Sequence, residues 1–340
     1  MDQQTTIKDI ARLCGTSVST VSRVLNDHPD VSDAVRRRVL EAVERTRYIP
    51  NNSARNLVKT TSDAVAVILR GVGNPFFAQL IKTAEPAIYK REYSCVLHQI
   101  PSDKDEIRAA AVLAREKKLR GILFFGGRFN YTPEETALLP VPFVCCTYTN
   151  AFGSLDPSAY SSVTIDDSRA AFRAVSELCK RGHRRVAALI VEAEDHSISE
   201  LRYQGYQAAL EAHGVPFDPA LVECAHGFDM QKAYEGMQRL LARTGDFTAL
   251  FAISDLMGLS AIKALSDAGR RVPADCSVIA IDGLEMSQYS IPTLATLEQP
   301  AEGLAEEGVR ILAELIQGGA GNQHVVMAAR LREGESLREA

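Results

Sequence analysis

The sequence has no apolar run approaching the roughly 18 residues that a membrane-spanning helix needs. Its opening Met1-Asp2-Gln3-Gln4 carries neither the basic segment nor the apolar core of a secretory signal, so a cytoplasmic protein with no membrane contact is expected. The seven cysteines, at 14, 95, 145, 146, 179, 224 and 276, are odd in number and contain no C-x-x-C pair, which fits neither a disulfide framework nor a zinc knuckle. They read as small buried hydrophobes, and adjacent Cys145 and Cys146 face opposite sides of a strand. Also missing are H-E-x-x-H, G-x-S-x-G and G-x-x-x-x-G-K-[ST], and the seven histidines (28, 98, 183, 196, 213, 226, 324) form no close metal-ligand pair. His183, in Arg181-Gly-His-Arg-Arg, suits a turn before a strand better than a general base. No enzyme, metal or cofactor is expected, and no internal repeat or low-complexity tract appears.

What is present is an ordinary globular composition: 340 residues, 46% hydrophobic and 24% charged, with 38 Lys and Arg against 43 Asp and Glu for a net charge of −5. At roughly 100–200 residues per domain, that length implies two or three domains. The charge is unevenly spread. Residues 1–60 carry ten Lys or Arg against seven Asp or Glu, a head of +3 on a body of −8. Phosphates attract the first and repel the second, which places nucleic acid at the N-terminus.

Within the head, Thr6 can cap a helix whose N3 carboxylate is Asp9, with Ile7, Ile10, Ala11 and Leu13 on one face. Cys14-Gly15-Thr16 makes the turn, and Ser17 caps a second helix, 18–25, that returns Val21, Val24 and Leu25. Ser32 then caps a third, with Val35, Val39, Leu40 and Val43 as its core stripe and Arg36, Arg37 and Arg38 around its sides. This is a helix-turn-helix pattern.

The run from Thr6 to Asn26, Thr-Ile-Lys-Asp-Ile-Ala-Arg-Leu-Cys-Gly-Thr-Ser-Val-Ser-Thr-Val-Ser-Arg-Val-Leu-Asn, followed by Tyr48-Ile-Pro-Asn51, resembles the lactose/purine repressor (LacI/GalR) family of bacterial transcriptional regulators. The likeness continues to about residue 336. Cys14 stands where small residues such as alanine are usual, a change that packing should tolerate. In such a motif the second helix enters the major groove, its N-terminal residues at base edges. Val18 can pack on a thymine methyl, Ser19 can donate or accept, and Arg23, one turn on, can reach O6 and N7 of guanine. The alternative for Arg23 is a solvated or phosphate-facing charge. Thr6, Ser17, Ser22, Asn26 and Asn51 suit phosphates, which fix register without reading sequence; for Thr6 and Ser17 a plain helix cap is equally compatible.

Residues 52–59, Asn-Ser-Ala-Arg-Asn-Leu-Val-Lys, are too few for a stable isolated helix. The resemblance implies a hinge helix that orders on DNA, with Leu57 wedged into the minor groove and Ala54 beside it; a plain linker is the alternative. Two hinge helices require a homodimer on a near-palindromic double-stranded operator. No leucine-heptad tail follows Leu337, which favours a dimer over a dimer of dimers.

From residue 64, apolar runs at 64–69, 95–100, 121–125, 143–147, 186–191, 249–254 and 277–282 alternate with amphipathic helices, so parallel sheets covered by helices are expected. Seven strands over about 270 residues suggest two similar lobes with a cleft between them. The resemblance implies a periplasmic-binding-protein-like α/β core behind an α helix-turn-helix domain, with the chain crossing between lobes near 163–166, 283–295 and 320–325. The expected layout is 1–50 for DNA binding, 51–61 for hinge and linker, and 62–336 for the effector-binding and dimerising domain. Its N-lobe would hold about 62–164 and 295–322, its C-lobe about 165–294 and 323–336.

Ligands of open α/β sheets bind beyond the carboxyl ends of the strands. After the first comes Arg70-Gly-Val-Gly-Asn74-Pro-Phe-Phe77, which starts like a dinucleotide fingerprint but has Asn-Pro where a third glycine would stand. The resemblance instead implies a ligand-facing loop, with Asn74 hydrogen bonding and Phe76 and Phe77 either stacking on the ligand or packing in the core. In the other lobe Arg202, Phe228, Ser254, Asp255 and Asp282 stand where family members contact effectors. An arginine fork with a carboxylate suits polyols such as sugars, though Asp255 could instead cap the following helix. Arg70, with Arg128, leaves an anionic effector open. The reading is a repressor controlled by a small carbohydrate-like effector between two lobes. An exported solute-binding protein would have no use for residues 6–57, and a fused sugar-metabolising enzyme would have to turn a sugar over.

Overall fold

The computed structural model describes residues 5–25, 28–46, 48, 62–71 and 73–340, in two units divided at residue 60. Asn26, Asn51, Ala54 and Leu57 lie outside the described residues.

In the first unit, α1 (Ile7–Leu13) begins with the reciprocal cap its sequence implies: Asp9 N–H donates to Thr6 Oγ1 at 3.4 Å, and Thr6 N–H donates to Asp9 Oδ2 at 2.9 Å. Gly15, at φ +56°, makes the turn into α2 (Val18–Leu25), where Thr20 N–H donates to Ser17 Oγ at 3.1 Å. Helix α3 (Asp33–Thr46) closes a core of Ile10, Cys14, Val21, Val24, Val39 and Ala42. Two expected core residues are outside it. Leu13 is 54% exposed because Cys14, four residues after Ile10, takes the inward position, and Leu40 is 48% exposed because Ala42, three after Val39, fills the stripe.

The second unit is built from two lobes. The first begins β1 (Ala64–Arg70), α4 (Phe76–Tyr89), β2 (Ser94–Ile100), α5 (Glu106–Lys117), β3 (Gly121–Phe125), α6 (Pro133–Thr136), β4 (Phe143–Cys146) and β5 (Ser161–Ile165). The second holds α7 (Asp167–Lys180), β6 (Val186–Ile190), α8 (Ile198–Ala212), β7 (Val222–Cys224), α9 (Met230–Arg243), β8 (Ala249–Ala252), α10 (Asp255–Asp267), β9 (Ser277–Asp282) and β10 (Ala295–Glu298). Helix α11 (Ala301–Gln317) and β11 (His324–Met327) return to the first lobe, and β12 (Arg330–Arg332) joins the second. The sheet orders are β11-β5-β4-β3-β1-β2 and β12-β10-β9-β8-β6-β7, parallel except where β12 pairs antiparallel with β10.

Strand β1 shows why an unbroken apolar run belongs in such a sheet. Val65, Val67 and Leu69 pack with Leu80 of α4 and Leu304 and Leu312 of α11, whereas Ala64, Ala66 and Ile68 face Ile107 and Leu113 of α5 on the other side. Gly308 brings α11 close to the sheet: a Cβ there would stand 2.3 Å from Cys146 Sγ.

The lobe assignment of two segments is corrected. Residues 295–298, expected in the N-lobe, pair in parallel with β9 (Ala295↔Ile279) and extend the second sheet. Residues 324–327, expected in the C-lobe, pair with β5 (His324↔Ser162), where Ser162 Oγ meets His324 Nδ1 at 2.8 Å. The second and third crossings therefore fall at 299–300 and 328–329. Among the described residues no helix is long and apolar enough to cross a membrane.

Candidate functional site

On α2, Val18 is 40% exposed, and Ser19 and Arg23 also face solvent. The Arg23 guanidinium is not free: its Nη1 lies 2.8 Å from Asp30 Oδ2, and Asp30 Oδ1 meets His28 Nδ1 at 2.7 Å. An exposed pair of this kind is worth about 1 kcal/mol at most. Asp30→Asn should therefore release Arg23 and tighten DNA binding by up to about that amount, read by titrating labelled duplex at fixed salt; weaker binding would mean that Asp30 positions Arg23 rather than competing for it. Thr6 and Ser17 both cap helices, and Ser22 is half-buried.

In the second unit, the carboxyl ends of both sheets open on a cleft of about 630 Å³, within the range typical of small-molecule sites. The first lobe contributes Arg70, Asn74, Phe76, Phe77 and Tyr148, and the second contributes Arg202, Phe228, Ser254, Asp282 and Gln299. Asn74 has two tasks: its Oδ1 accepts from Phe76 N–H at 3.0 Å, fixing the start of α4, and its Nδ2 reaches across the cleft to Asp282 Oδ2 at 3.4 Å. Phe76 is 2% exposed and serves the core as well as the wall; Phe77 and Phe228 are half-buried.

Asp282 ends β9 with φ at +140°, a backbone region that non-glycine residues rarely adopt, which turns its carboxylate into the cleft. Oδ1 accepts from Gln299 Nε2 at 2.9 Å and Arg202 Nη1 at 3.3 Å. Burial raises this carboxyl above the ordinary range, against the opposing pull of Arg202, Gln299 and Asn74. Arg202 is 1% exposed; its Nε donates to Asp167 Oδ1 at 3.0 Å and its Nη1 to the Ile253 carbonyl. Burial likewise pushes the Asp167 carboxyl up to about 6, with Arg202 opposing.

Asp255 is corrected. It does not line the cleft, and it does not cap α10, whose cap is Ser254 Oγ accepting from Met257 N–H at 3.4 Å. Asp255 is fully buried behind the wall, with Oδ2 accepting from Leu284 N–H at 2.7 Å and Ser287 Oγ at 3.0 Å, and Oδ1 from Thr296 Oγ1 at 2.5 Å. Those three bonds tie α10, the turn after β9 and β10 together.

Gln299 and Tyr148 escaped the sequence reading. Gln299 sits at a lobe crossing between a strand and a helix, and Gln-Pro before a helix reads as a simple boundary. Glu106 escaped too, because Asp105-Glu106 reads as an acidic first turn; it is fully buried and receives Arg70, Arg128 and Tyr131. His183 is structural: Nδ1 meets Thr248 Oγ1 at 2.8 Å and Nε2 meets Ser277 Oγ at 3.1 Å. Among the described residues, no group of His, Cys, Asp and Glu is placed to hold a metal ion.

Residues 6–51 match the family described as bacterial regulatory proteins, lacI family, and residues 175–337 match the periplasmic binding protein-like domain. The chain is 37% identical to the HTH-type transcriptional regulator MalR of Clostridium butyricum, over 97% of this chain and 98% of that protein. The chain belongs to the lacI family of bacterial regulatory proteins. It is also 32% identical to the HTH-type transcriptional repressor CytR of Escherichia coli K12, over 98% of this chain and 94% of that one. Among solved structures it resembles a transcriptional regulator CelR-cellobiose complex at 28% identity and a TM-score of 0.73, covering 98% of this chain and 99% of that one. These relatives are regulators, not enzymes, and this lacI-family chain is a DNA-binding transcriptional regulator with an α helix-turn-helix head and a two-sheet α/β core.

Proposed function

We propose that the protein is a homodimeric cytoplasmic repressor whose grip on a near-palindromic operator is set by an uncharged carbohydrate-like effector in the cleft. The observation that carries this reading is the convergence of Asn74 from one lobe with Asp282, Arg202 and Gln299 from the other. These are fixed donors and acceptors of the kind that hydroxyl-rich ligands satisfy, beside the apolar faces of Phe77 and Phe228. The CelR relative, solved with cellobiose, supports the same ligand class. A polyol that inserts between Asn74 and Asp282 replaces a direct lobe-to-lobe bond with two bonds to itself, which changes the closure equilibrium of the lobes. Val18, Ser19 and Arg23 are assigned to base edges, and Thr6, Ser17, Ser22, Asn26 and Asn51 to phosphates. Ala54 and Leu57 are assigned to the minor groove.

Thermal unfolding of the full chain against neutral sugars, sugar phosphates, sugar acids and nucleobases tests the ligand class, since a ligand at about 100 times its Kd stabilises by ~2.7 kcal/mol. Asp282→Ala also removes the bond to Asn74, so its operator affinity without ligand can differ from the parent's, but that affinity should not change when the ligand that the screen identifies is added. A parent-like response from that variant would move the effector site elsewhere.

A further inference from the structure

Arg70 puts a cation on the wall of the cleft, its side chain 22% exposed. Behind it, the fully buried Glu106 approaches Arg70 Nε to 3.2 Å through Oε2, a close charge contact without an aligned hydrogen bond. The other oxygen of Glu106 is committed inward: Oε1 accepts from Arg128 N–H at 2.8 Å and from the Tyr131 hydroxyl. Arg128 has further carboxylates: Nη2 donates to Glu135 Oε1 at 2.9 Å and lies 3.9 Å from Oδ1 of Asp105, whose Oδ2 is 3.4 Å from Arg108 Nε, while Arg128 Nε is 3.6 Å from Glu106 Oε1. Counting Arg108, three arginines therefore meet three carboxylates, and the charge that Arg70 shows to the cleft is balanced from inside the protein rather than by a ligand. A buried carboxylate left without its cation would be costly, so Glu106 holds Arg70 as firmly as Arg70 neutralises Glu106.

We propose that Glu106 is a positioning residue that sets the charge selectivity of the cleft: by cancelling Arg70 from behind the wall it makes the site reject anionic ligands and take uncharged ones. This rests on the cleft being the effector site, but its test needs neither effector nor operator. Glu106→Gln keeps an oxygen for the Arg128 N–H and Tyr131 bonds while removing the charge, so Arg70 is left facing the cleft uncompensated. Inorganic phosphate, titrated at constant ionic strength and followed by thermal unfolding of the full chain, is the probe. The parent should show no saturable stabilisation. E106Q should bind phosphate at least about tenfold more tightly than the parent, as expected of one new charge-assisted contact, and the double variant E106Q/R70Q should lose that gain.

Phosphate affinity in E106Q equal to that of the parent, or a gain that survives in E106Q/R70Q, would overturn the proposal. Should E106Q fail to fold, R70Q alone reads the same balance with the opposite sign. Glu106 then keeps only Arg128, which it shares with Glu135, so the cluster is left with an excess negative charge behind the wall, and D-glucosamine should stabilise R70Q more than D-glucose does, a preference absent from the parent. Equal effects of the two sugars on R70Q would overturn it. A failed sugar screen alongside a phosphate gain in E106Q would count against the effector reading while leaving the charge balance in place.

Discussion

Arg202→Met should destabilise the protein by about 3–5 kcal/mol at pH 8, the cost of removing one partner from a buried ion pair. Methionine fills most of the arginine volume, so the loss would come from charge rather than from a cavity. Arg202 is the cation between two buried carboxylates, 2.9 Å from Asp167 and 3.3 Å from Asp282. Without it both must either remain charged in a low dielectric or take up protons. The pH dependence separates these outcomes. In the parent, Asp167 titrates at about 6 when folded, above the roughly 4 of an unfolded aspartate. Folding therefore takes up a proton in that window, and this group's contribution to stability declines as pH rises from about 4 to 6. Removing the opposing pull of Arg202 carries the folded value higher, so the decline in the variant continues past pH 6. Urea unfolding of parent and R202M at pH 8 and pH 5 should show a deficit that shrinks on acidification, and Asp167→Asn in the R202M background should recover part of it at pH 8. A deficit independent of pH would mean that packing, not charge, holds Arg202 in place.

The parts of this molecule legible in the sequence are those whose local pattern and tertiary role coincide. The cap at Thr6 and Asp9 and the doubly covered run of β1 are such cases. What stayed hidden depended on distant partners. Strand β5 reads Ser-Ser-Val-Thr-Ile, too polar for an interior strand until Ser161 Oγ donates to Asn322 Oδ1 at 2.9 Å and Ser162 finds His324. Strand β10 is recognisably extended, but four residues do not say which of two sheets they complete. Asp255 and Asp282 are both carboxylates near strand ends. The first is consumed by a backbone N–H and two hydroxyls, and the second is turned into the cleft by its backbone angle. No spacing rule separates them. Glu106 is the extreme case, an acidic residue in a helix's first turn whose proposed role depends on Arg70 at the end of β1.

The second crossing between the lobes carries more than connectivity. Gln299 bonds Asp282 at 2.9 Å, and two residues later α11 begins its packing on the first sheet. A ligand that competes for Asp282 thus acts on a residue directly joined to the helix that covers the opposite lobe, a short physical route from cleft chemistry to lobe orientation.

Arg23→Ala should cost about 1–3 kcal/mol on operator DNA while leaving non-specific binding nearly unchanged, if Arg23 reads a guanine through O6 and N7. The argument rests on reach and on competition. Val18 and Ser19, at the N-terminal end of α2, have short side chains that discriminate weakly between bases, whereas Arg23 is the basic residue of the last turn and can project further. Its present partner, Asp30, is 45% exposed, so exchanging that pair for a two-bond base contact in the groove favours the base. Salt dependence supplies the discriminating measurement. A base-reading arginine leaves the slope of log K against log salt almost as in the parent, whereas a phosphate contact lowers it by about 0.9 and weakens operator and random DNA alike. Titrations of parent and R23A on both DNAs at several salt concentrations should therefore show a narrowed gap between operator and random sequence with parallel slopes. Equal losses on both DNAs with a reduced slope would assign Arg23 to the backbone and leave base selection to Val18 and Ser19.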